Sequence, residues 1–344
     1  MRETPYFLAL PALTKTPVRA LPRGVGRLLG VIISLMLFGL AAIVIGRTFT
    51  QLRFVDLAAA LAQTRGATIC AALFLTGLSY AALTGYDFVA LRQIGARAPM
   101  GAVGLASFVS NAFSFTLGFP LLTGAAVRYW VYARAALTAR QIASIILVAS
   151  LTFWLGMAGW LCVGLLVGAT PLAGIDHLPA PANSCAGATL LAALVAYCVW
   201  ALAAPRHLRF FGRALELPGP RTTLLQLTLG LADIGCAAAA LYVLLPQKSS
   251  SLDFSAFAAI YVFAALVGAI SHAPGGVGVF EAVMLNAVPA PSQEALFAAL
   301  LLFRAIYYLI PFIIALVLLG AQGGVGFWAE LLGGLRKGAA RRSV

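Results

Sequence analysis

The chain has 344 residues, of which 62% are hydrophobic and only 10% are charged. A soluble domain is about a quarter charged, so we expect this chain to be folded in lipid and to carry no soluble catalytic domain. The net charge of +13 comes from short basic clusters beside apolar stretches, a pattern typical of membrane topology rather than of nucleic-acid binding. The five cysteines and three histidines lack metal-ligand spacing, so no metal, cofactor or disulfide is expected.

The fold class predicted is an all-α integral membrane protein. A helix crosses the bilayer core in about 20 residues. A basic N-terminal segment, residues 1–27, precedes a polytopic membrane domain at 28–319, and an amphipathic basic tail follows at 320–344. The longest polar tract between spans, at 205–221, has room for a short amphipathic helix but not for an enzyme. Six full spans are predicted at 28–46, 66–90, 139–168, 184–204, 222–245 and 295–319.

Two further apolar regions, 101–136 and 255–288, are interrupted at their centres by glycine and proline. Each is long enough for two half-helices, and each carries the spacing Pro-x-x-x-Gly. Interrupted segments in matching positions of two halves are typical of inverted-repeat transporters. We predict two opposed re-entrant hairpins; the alternative is that these residues merely kink ordinary spans. The predicted breaks contain Gly118, Pro120 and Gly124 in the first hairpin and Pro274, Gly275, Gly276 and Gly278 in the second.

The distribution of basic residues predicts the sidedness of the chain. With a cytoplasmic N-terminus and hairpins that return to their own side, 18 Lys and Arg residues are cytoplasmic and four are outside, with Arg304 left inside a span. Such a bias follows the positive-inside rule. Both termini are therefore expected in the cytoplasm (N-in, C-in), and the first hairpin enters from that side.

Two charged residues inside the predicted membrane domain each have a functional and a structural interpretation. Asp233 lies in the middle of the span 222–245, where an ionised side chain costs about 2.5–3.5 kcal/mol. It lines a substrate pathway or belongs to a structural ion pair. Arg128 follows the first break and offers a bidentate fork to phosphate. The alternative is an interfacial arginine that only sets topology.

Four more residues complete the predicted substrate-binding or translocation set. Glu281 either serves transport or caps the half-helix after the second break. Arg304 is expected to pair with Glu281 or Asp233. Asp87, near the inner end of the second span, either serves transport or reaches the interface. His272 abuts the second break, where it senses protons or is simply hydrogen-bonded.

Four motifs together suggest a known membrane family. One is the stretch from Leu78 to Arg92 that contains Asp87. The others are Gly118-Phe-Pro-Leu-Leu-Thr-Gly124, Ile270-Ser-His272-Ala-Pro274-Gly275-Gly276-Val-Gly278-Val-Phe280-Glu281 and Arg304-Ala-Ile-Tyr307-Tyr308-Leu-Ile-Pro311. In these motifs the chain resembles the membrane domain of the multiple peptide resistance factor family, the aminoacyl-phosphatidylglycerol synthase/flippases. The resemblance covers about residues 28 to 320.

The resemblance implies a flippase that moves aminoacylated phosphatidylglycerol, such as lysyl-phosphatidylglycerol, to the outer leaflet of the bacterial cytoplasmic membrane. It also implies resistance to cationic antimicrobial peptides. The family's tRNA-dependent synthase domain is not expected in this chain, so a separate or fused synthase is an expected partner, and the chain is either a stand-alone member or a fragment. Two alternatives stay open, namely an ion-coupled transporter of another solute and a non-transporting scaffold. The pair Gly164 and Gly168 hints at helix packing or a homodimer.

Overall fold

A computed structural model describes residues 64–118, 123–202, 207–210, 213–216, 219–246, 252–271 and 274–321, all within one compact unit. The predicted span 28–46, the tail beyond residue 321, Pro120 and His272 lie outside the described residues. The helices are α1 (Gly66–Gln93), α2 (Met100–Leu117), α3 (Thr123–Arg134), α4 (Ala139–Val167), α5 (Ala169–Asp176), α6 (Ala180–Leu202), α7 (Pro220–Tyr242), α8 (Phe254–Ile270), α9 (Val279–Ala287) and α10 (Gln293–Ala321).

Local sequence signals account for several helix boundaries. Thr138 forms a reciprocal capping box with Gln141 at the start of α4. Pro220 occupies the first turn of α7, where its missing N–H is not needed. Gly118 ends α2 at φ 75°, a conformation that glycine adopts without steric cost. These signals mark where helices begin and end within apolar stretches that are otherwise continuous.

Six of the described helices are long and apolar enough to cross a membrane. Five of them, α1, α4, α6, α7 and α10, match predicted spans, which confirms the all-α membrane class. The sixth is α2, the first limb of the first predicted hairpin. Its 18 residues extend about 27 Å at 1.5 Å per residue, so it is longer than the half-helix expected.

Both interrupted regions form helical hairpins. In the first, α3 packs back along α2, so that Gly124 faces Ser110 and Ser114. Gly124 therefore lies in the first turn of α3 and not in the break between the helices. In the second, a 3₁₀ turn at Pro274–Gly276 separates α8 from α9. The ring of Phe280 in α9 lies 5.7 Å from that of Tyr261 in α8.

The two hairpins begin at opposite ends of the helix bundle. Near the start of α4, one buried cluster joins the end of α1, the start of α2 and the end of α3. Near the other end of α4, Gly164 and Gly168 lie against Ala256 and Ala259 of α8. The glycine pair thus packs two helices of one chain together. The cluster comprises Ala90, Leu91, Val103, Ala106, Val131, Tyr132, Leu137, Ile142, Ile145 and Val148.

The tract between α6 and α7, which has room for a short amphipathic helix, contains two short antiparallel strands, β1 (His207–Phe210) and β2 (Arg213–Glu216). His207 pairs with Glu216 and Phe210 with Arg213. Only two residues separate the strands, which is the loop length of a tight hairpin.

Candidate functional site: three buried carboxylates between two hairpins

Three acidic side chains are buried inside the bundle. The residues Asp87, Asp233 and Glu281 are 0%, 1% and 8% exposed. A buried charge is costly unless it is paired and hydrogen-bonded. The partners of each carboxylate therefore indicate what it can do.

Asp87 of α1 is bound to Arg128 of α3. The Arg128 Nη2 atom lies 3.0 Å from Asp87 Oδ1, and Nε lies 3.1 Å from Oδ2, which gives a forked pair. The Tyr132 hydroxyl donates to Oδ2 at 2.8 Å. Because Tyr132 follows Arg128 by four residues, both side chains project from one face of α3. This pair attaches the second limb of the first hairpin to α1.

Glu281 of α9 is bound to Arg304 of α10. The Arg304 Nε atom donates to Oε1, and Nη2 donates to Oε2 at 3.0 Å. A third donor, Nη1, bonds the Gly275 carbonyl at 2.9 Å. The Gly278 amide donates to Glu281 Oε2 at 2.8 Å, so the carboxylate also caps α9. One guanidinium thus attaches the tip of the second hairpin to α10.

Asp233 of α7 is held by hydroxyl groups. Its carboxylate accepts hydrogen bonds from the Ser79 hydroxyl and, at 2.8 Å, from the Tyr86 hydroxyl. The Ser79 Oγ atom also lies 2.8 Å from the Tyr307 hydroxyl of α10. In the part of the chain that the structure describes, no Lys, Arg or His lies within ion-pair distance of Asp233. We call Asp233, Ser79, Tyr86 and Tyr307 the hydroxyl network.

The tips of the two hairpins meet beside α10. Gly275 has a φ of 60°, and a Cβ atom there would lie only 2.9 Å from the Thr116 carbonyl oxygen. The hydroxyl of Thr116 donates to the Tyr308 carbonyl at 3.4 Å. At this point α10 contains a π-helical turn, Arg304–Leu309, which carries Arg304, Tyr307 and Tyr308. This turn contacts both tips and the hydroxyl network.

The structure brings together four of the six predicted site residues, in two pairs. Arg304 pairs with Glu281, one of the two partners expected. Arg128 pairs with Asp87, whereas the sequence prediction treated them as separate sites. Asp233 stands apart from both pairs, and His272 lies outside the described residues. Gly118, Gly275, Gly276 and Gly278 all have positive φ at the ends of the hairpin limbs.

Sequence reasoning missed four polar side chains of the site, Ser79, Tyr86, Tyr132 and Tyr307. A signal for the first two was available, because they are seven residues apart and therefore share one face of a helix. Tyr132 has the equivalent relation to Arg128, at four residues. Within the described ranges, no group of three or more His, Cys, Asp or Glu side chains could hold a metal ion.

Comparison with known proteins assigns the chain to a family. Residues 27–315 match the family described as the lysylphosphatidylglycerol synthase TM region. The chain belongs to this family. With its six long apolar helices, it is a multi-pass membrane protein.

Three relatives illustrate the range of the family. An uncharacterized protein, slr0712 of Synechocystis, is 35% identical over 256 residues, which is 74% of this chain and 79% of that protein. The inner membrane protein YbhN of Escherichia coli K12 is 30% identical over 72% of this chain and 78% of its own length. Phosphatidylglycerol lysyltransferase of Staphylococcus aureus (strain COL) is 27% identical over 84% of this chain but only 33% of its own length.

Proposed function

We propose that this chain is a transporter, not an enzyme, and that it moves an aminoacylated phosphatidylglycerol such as lysyl-phosphatidylglycerol from the inner to the outer leaflet. The observation that carries the proposal is the pair of opposed hairpins, whose tips meet beside α10 and each of which is held by one arginine–carboxylate pair. Irregular backbone at membrane depth has to be buried in protein or line a cavity. For the substrate to reach the site from one side of the membrane and then from the other, it is enough that one hairpin tip moves away from the bundle while the other tip stays in place.

The two ion pairs match the charges of such a lipid. A phosphodiester can replace a carboxylate as the partner of a guanidinium fork, because both present two oxygens in a plane. When Arg128 or Arg304 turns to the phosphate, Asp87 or Glu281 is left without a cation. An ammonium group on the same lipid headgroup supplies one. A headgroup that carries both charges therefore opens an ion pair without leaving either side chain unpaired, whereas a purely anionic headgroup leaves the carboxylate bare.

The proposal includes a location and a physiological effect. We place the chain in the bacterial cytoplasmic membrane, because YbhN is named as an inner membrane protein. Delivery of cationic lipid to the outer leaflet lowers the negative surface potential that attracts cationic peptides. The substrate comes from an aminoacyl-lipid synthase, either a separate partner or a fused domain, since the related lysyltransferase is much longer than the segment matched here.

A reconstitution experiment tests the function. Purified protein is placed in vesicles with fluorescent lysyl-phosphatidylglycerol, and dithionite quenching reports the fraction in the outer leaflet. We expect rapid transfer by the wild-type protein. Arg128→Gln and Glu281→Gln should abolish it, because each leaves a buried charge without its partner. The matched control is Arg140→Gln, since Arg140 is exposed at the start of α4.

Other outcomes favour the other functions. If lipid stays in its leaflet while the vesicles accumulate a soluble solute, the chain is an ion-coupled solute transporter. If Arg128→Gln and Glu281→Gln keep full biological activity and no lipid moves, the buried charges are structural and the chain is a scaffold for lipid enzymes. Either result refutes lipid transfer.

A further inference from the structure

Asp233 differs from the other two buried carboxylates in how its charge is balanced. Asp87 and Glu281 each bind a guanidinium. Asp233 is equally buried, yet among the described residues its hydrogen-bond donors are the neutral hydroxyls of Ser79 and Tyr86. A hydroxyl stabilises a carboxylate but does not neutralise it. A proton is the smallest cation that can do so, and it needs no additional space in a packed interior.

The hydroxyl network can accommodate Asp233 in both protonation states. When the carboxylate is ionised, Ser79 and Tyr86 donate to it, and the Tyr307 hydroxyl can donate to Ser79. When the carboxyl group is protonated, it can donate to Ser79 instead. Ser79 can then turn its own hydrogen to the Tyr307 hydroxyl oxygen, which lies 2.8 Å from it. Either atom of the Ser79–Tyr307 contact can act as the donor. The proton is therefore gained or lost without repacking the helices.

We propose that Asp233 binds and releases a proton during each transport cycle, and that this proton couples lipid movement to the pH gradient across the membrane. The inference rests on the proposed lipid transfer. In the uptake step an O–H bond forms on a carboxylate oxygen. A proton can arrive through Tyr307 and Ser79, each hydroxyl accepting one proton and passing on its own. Release returns the carboxylate to its charged form.

The π turn links Asp233 to the second hairpin. Tyr307, which contacts Ser79, lies three residues after Arg304 in the turn. Arg304 binds both Glu281 and the Gly275 carbonyl at the hairpin tip. A proton on Asp233 reverses the direction of the hydrogen bond between Ser79 and Tyr307. The change therefore acts on the π turn, whose Arg304 holds the tip of the second hairpin. Single π turns inside α-helices occur frequently at functional sites.

Among the residues that the structure describes, no other group around Asp233 competes for this role. The titratable side chains that face it are tyrosines and one cysteine, whose ordinary pKa values are about 10 and 8.5. Helix α4 contributes Trp160, whose indole donates to the Leu231 carbonyl at 2.8 Å and does not titrate. Within the described residues, neither α4 nor α6 directs a charged side chain at Asp233. The groups that interact electrostatically with Asp233 are Tyr80 and Tyr86 of α1, Cys236 of α7, Tyr261 of α8 and Tyr307 of α10.

The proton itself can be detected without transport. Infrared difference spectra of the full chain in lipid discs, recorded while the pH is lowered, should show the carbonyl stretch of a newly protonated buried carboxyl group. Asp233→Asn should lose this band. Asp253→Asn should keep it, because Asp253 is exposed before α8 and its side chain does not cap the helix. If Asp233→Asn keeps the band, or the wild-type protein shows none, Asp233 does not bind the proton.

Coupling is tested in vesicles with an imposed pH gradient and the membrane potential clamped. Wild-type lipid transfer should respond to the gradient, and Asp233→Asn should lose that response. Tyr86→Phe keeps the carboxylate but removes one donor, so it should shift the pH dependence of transfer even if Asp233→Asn does not fold. If wild-type transfer ignores the gradient, coupling is overturned and the proposed function stands. If no lipid moves under any gradient, both are overturned.

Discussion

At the scale of single residues, the buried ion pairs are the contacts that the proposed lipid transfer would exchange. Arg128 and Arg304 are each 7% exposed, so water screens them little. A buried pair adds little stability compared with an apolar pair of the same shape, but removing one partner leaves an uncompensated charge. These pairs therefore suit a site that exchanges partners. They are stable while both members are present and unstable when one is alone.

Removal of Arg128 should destabilise the protein more than removal of the whole pair. Arg128→Gln leaves Asp87 buried without a cation, and we expect a loss of about 3–5 kcal/mol in the free energy of unfolding. Asp87→Asn combined with Arg128→Gln should recover part of that loss, because neither charge remains. Unfolding by SDS in mixed micelles measures both values.

The control for this cycle is Arg140→Gln, which removes the same charge from an exposed position. It should change the free energy of unfolding by no more than about 1 kcal/mol, as surface ion contacts do. Equal destabilisation by Arg128→Gln and by the double substitution would mean that the pair does not behave as one unit.

The residue types of the site could be predicted from the sequence, but most of their pairings could not. Arg304 and Glu281 are 23 residues apart, and their pairing was one of two alternatives. Asp87 and Arg128 are 41 apart on different helices, so only the packing of the first hairpin against α1 brings them together. Asp233 meets Ser79 across 154 residues. Helical periodicity constrains one face of one helix and does not specify which helix lies opposite.

At the scale of elements, the two hairpins share an asymmetry. Each has a long first limb, of 18 residues in α2 and 17 in α8, and a short second limb, of 12 residues in α3 and nine in α9. Each short limb carries a charged residue of one ion pair, Arg128 in α3 and Glu281 in α9. In the proposed lipid transfer, this ion pair is the contact of the short limb that the headgroup would replace.

The contact between the tips is testable with a matched pair of glycines. Gly275→Ala places a Cβ atom 2.9 Å from the Thr116 carbonyl oxygen, at a φ of 60°. We expect it to force the tips apart and to abolish lipid transfer in vesicles. Gly95→Ala has the same backbone strain, at a φ of 64°, but no atom within 4 Å of the new Cβ. It should cost about 1–2 kcal/mol of stability without loss of transfer.

If Gly95→Ala reduces transfer as much as Gly275→Ala does, the effect comes from backbone strain and not from the tip contact. A normal rate in Gly275→Ala would show that the tips need not meet. Thermal unfolding of both variants in the same detergent distinguishes loss of transfer from loss of fold.

The sequence predicted both interruptions but not their detailed form. Glycine and proline mark where a helix ends, so the breaks at Gly118 and Pro274–Gly276 were recognised. Gly124 misled the prediction because a glycine inside a helix can serve close packing, here against Ser110 and Ser114. The π turn at Arg304–Leu309 has no compositional marker, since every residue in it is compatible with an ordinary helix.

At the scale of the whole molecule, the hairpins enter a common bundle from opposite ends. The base of the first lies with the start of α4, and the base of the second with its end. Helix α4 has 29 residues and is long enough to cross the bilayer. The two bases are therefore expected on opposite sides of the membrane. Composition alone predicts that the chain inserts into a membrane. To show that the hairpins enter from opposite sides, one has to know on which side each of their four flanking loops lies.

Those four loops can be assigned to sides by labelling. In a cysteine-free background, single cysteines replace Arg97 and Arg140, which flank the first hairpin, or Asp253 and Glu294, which flank the second. All four side chains are exposed. A membrane-impermeant maleimide should reach the first pair from the cytoplasm, because basic residues favour that side, and the second pair from outside. If the two members of a pair react from opposite sides, that hairpin crosses the membrane and does not return, so opposed re-entry cannot be the basis of transport.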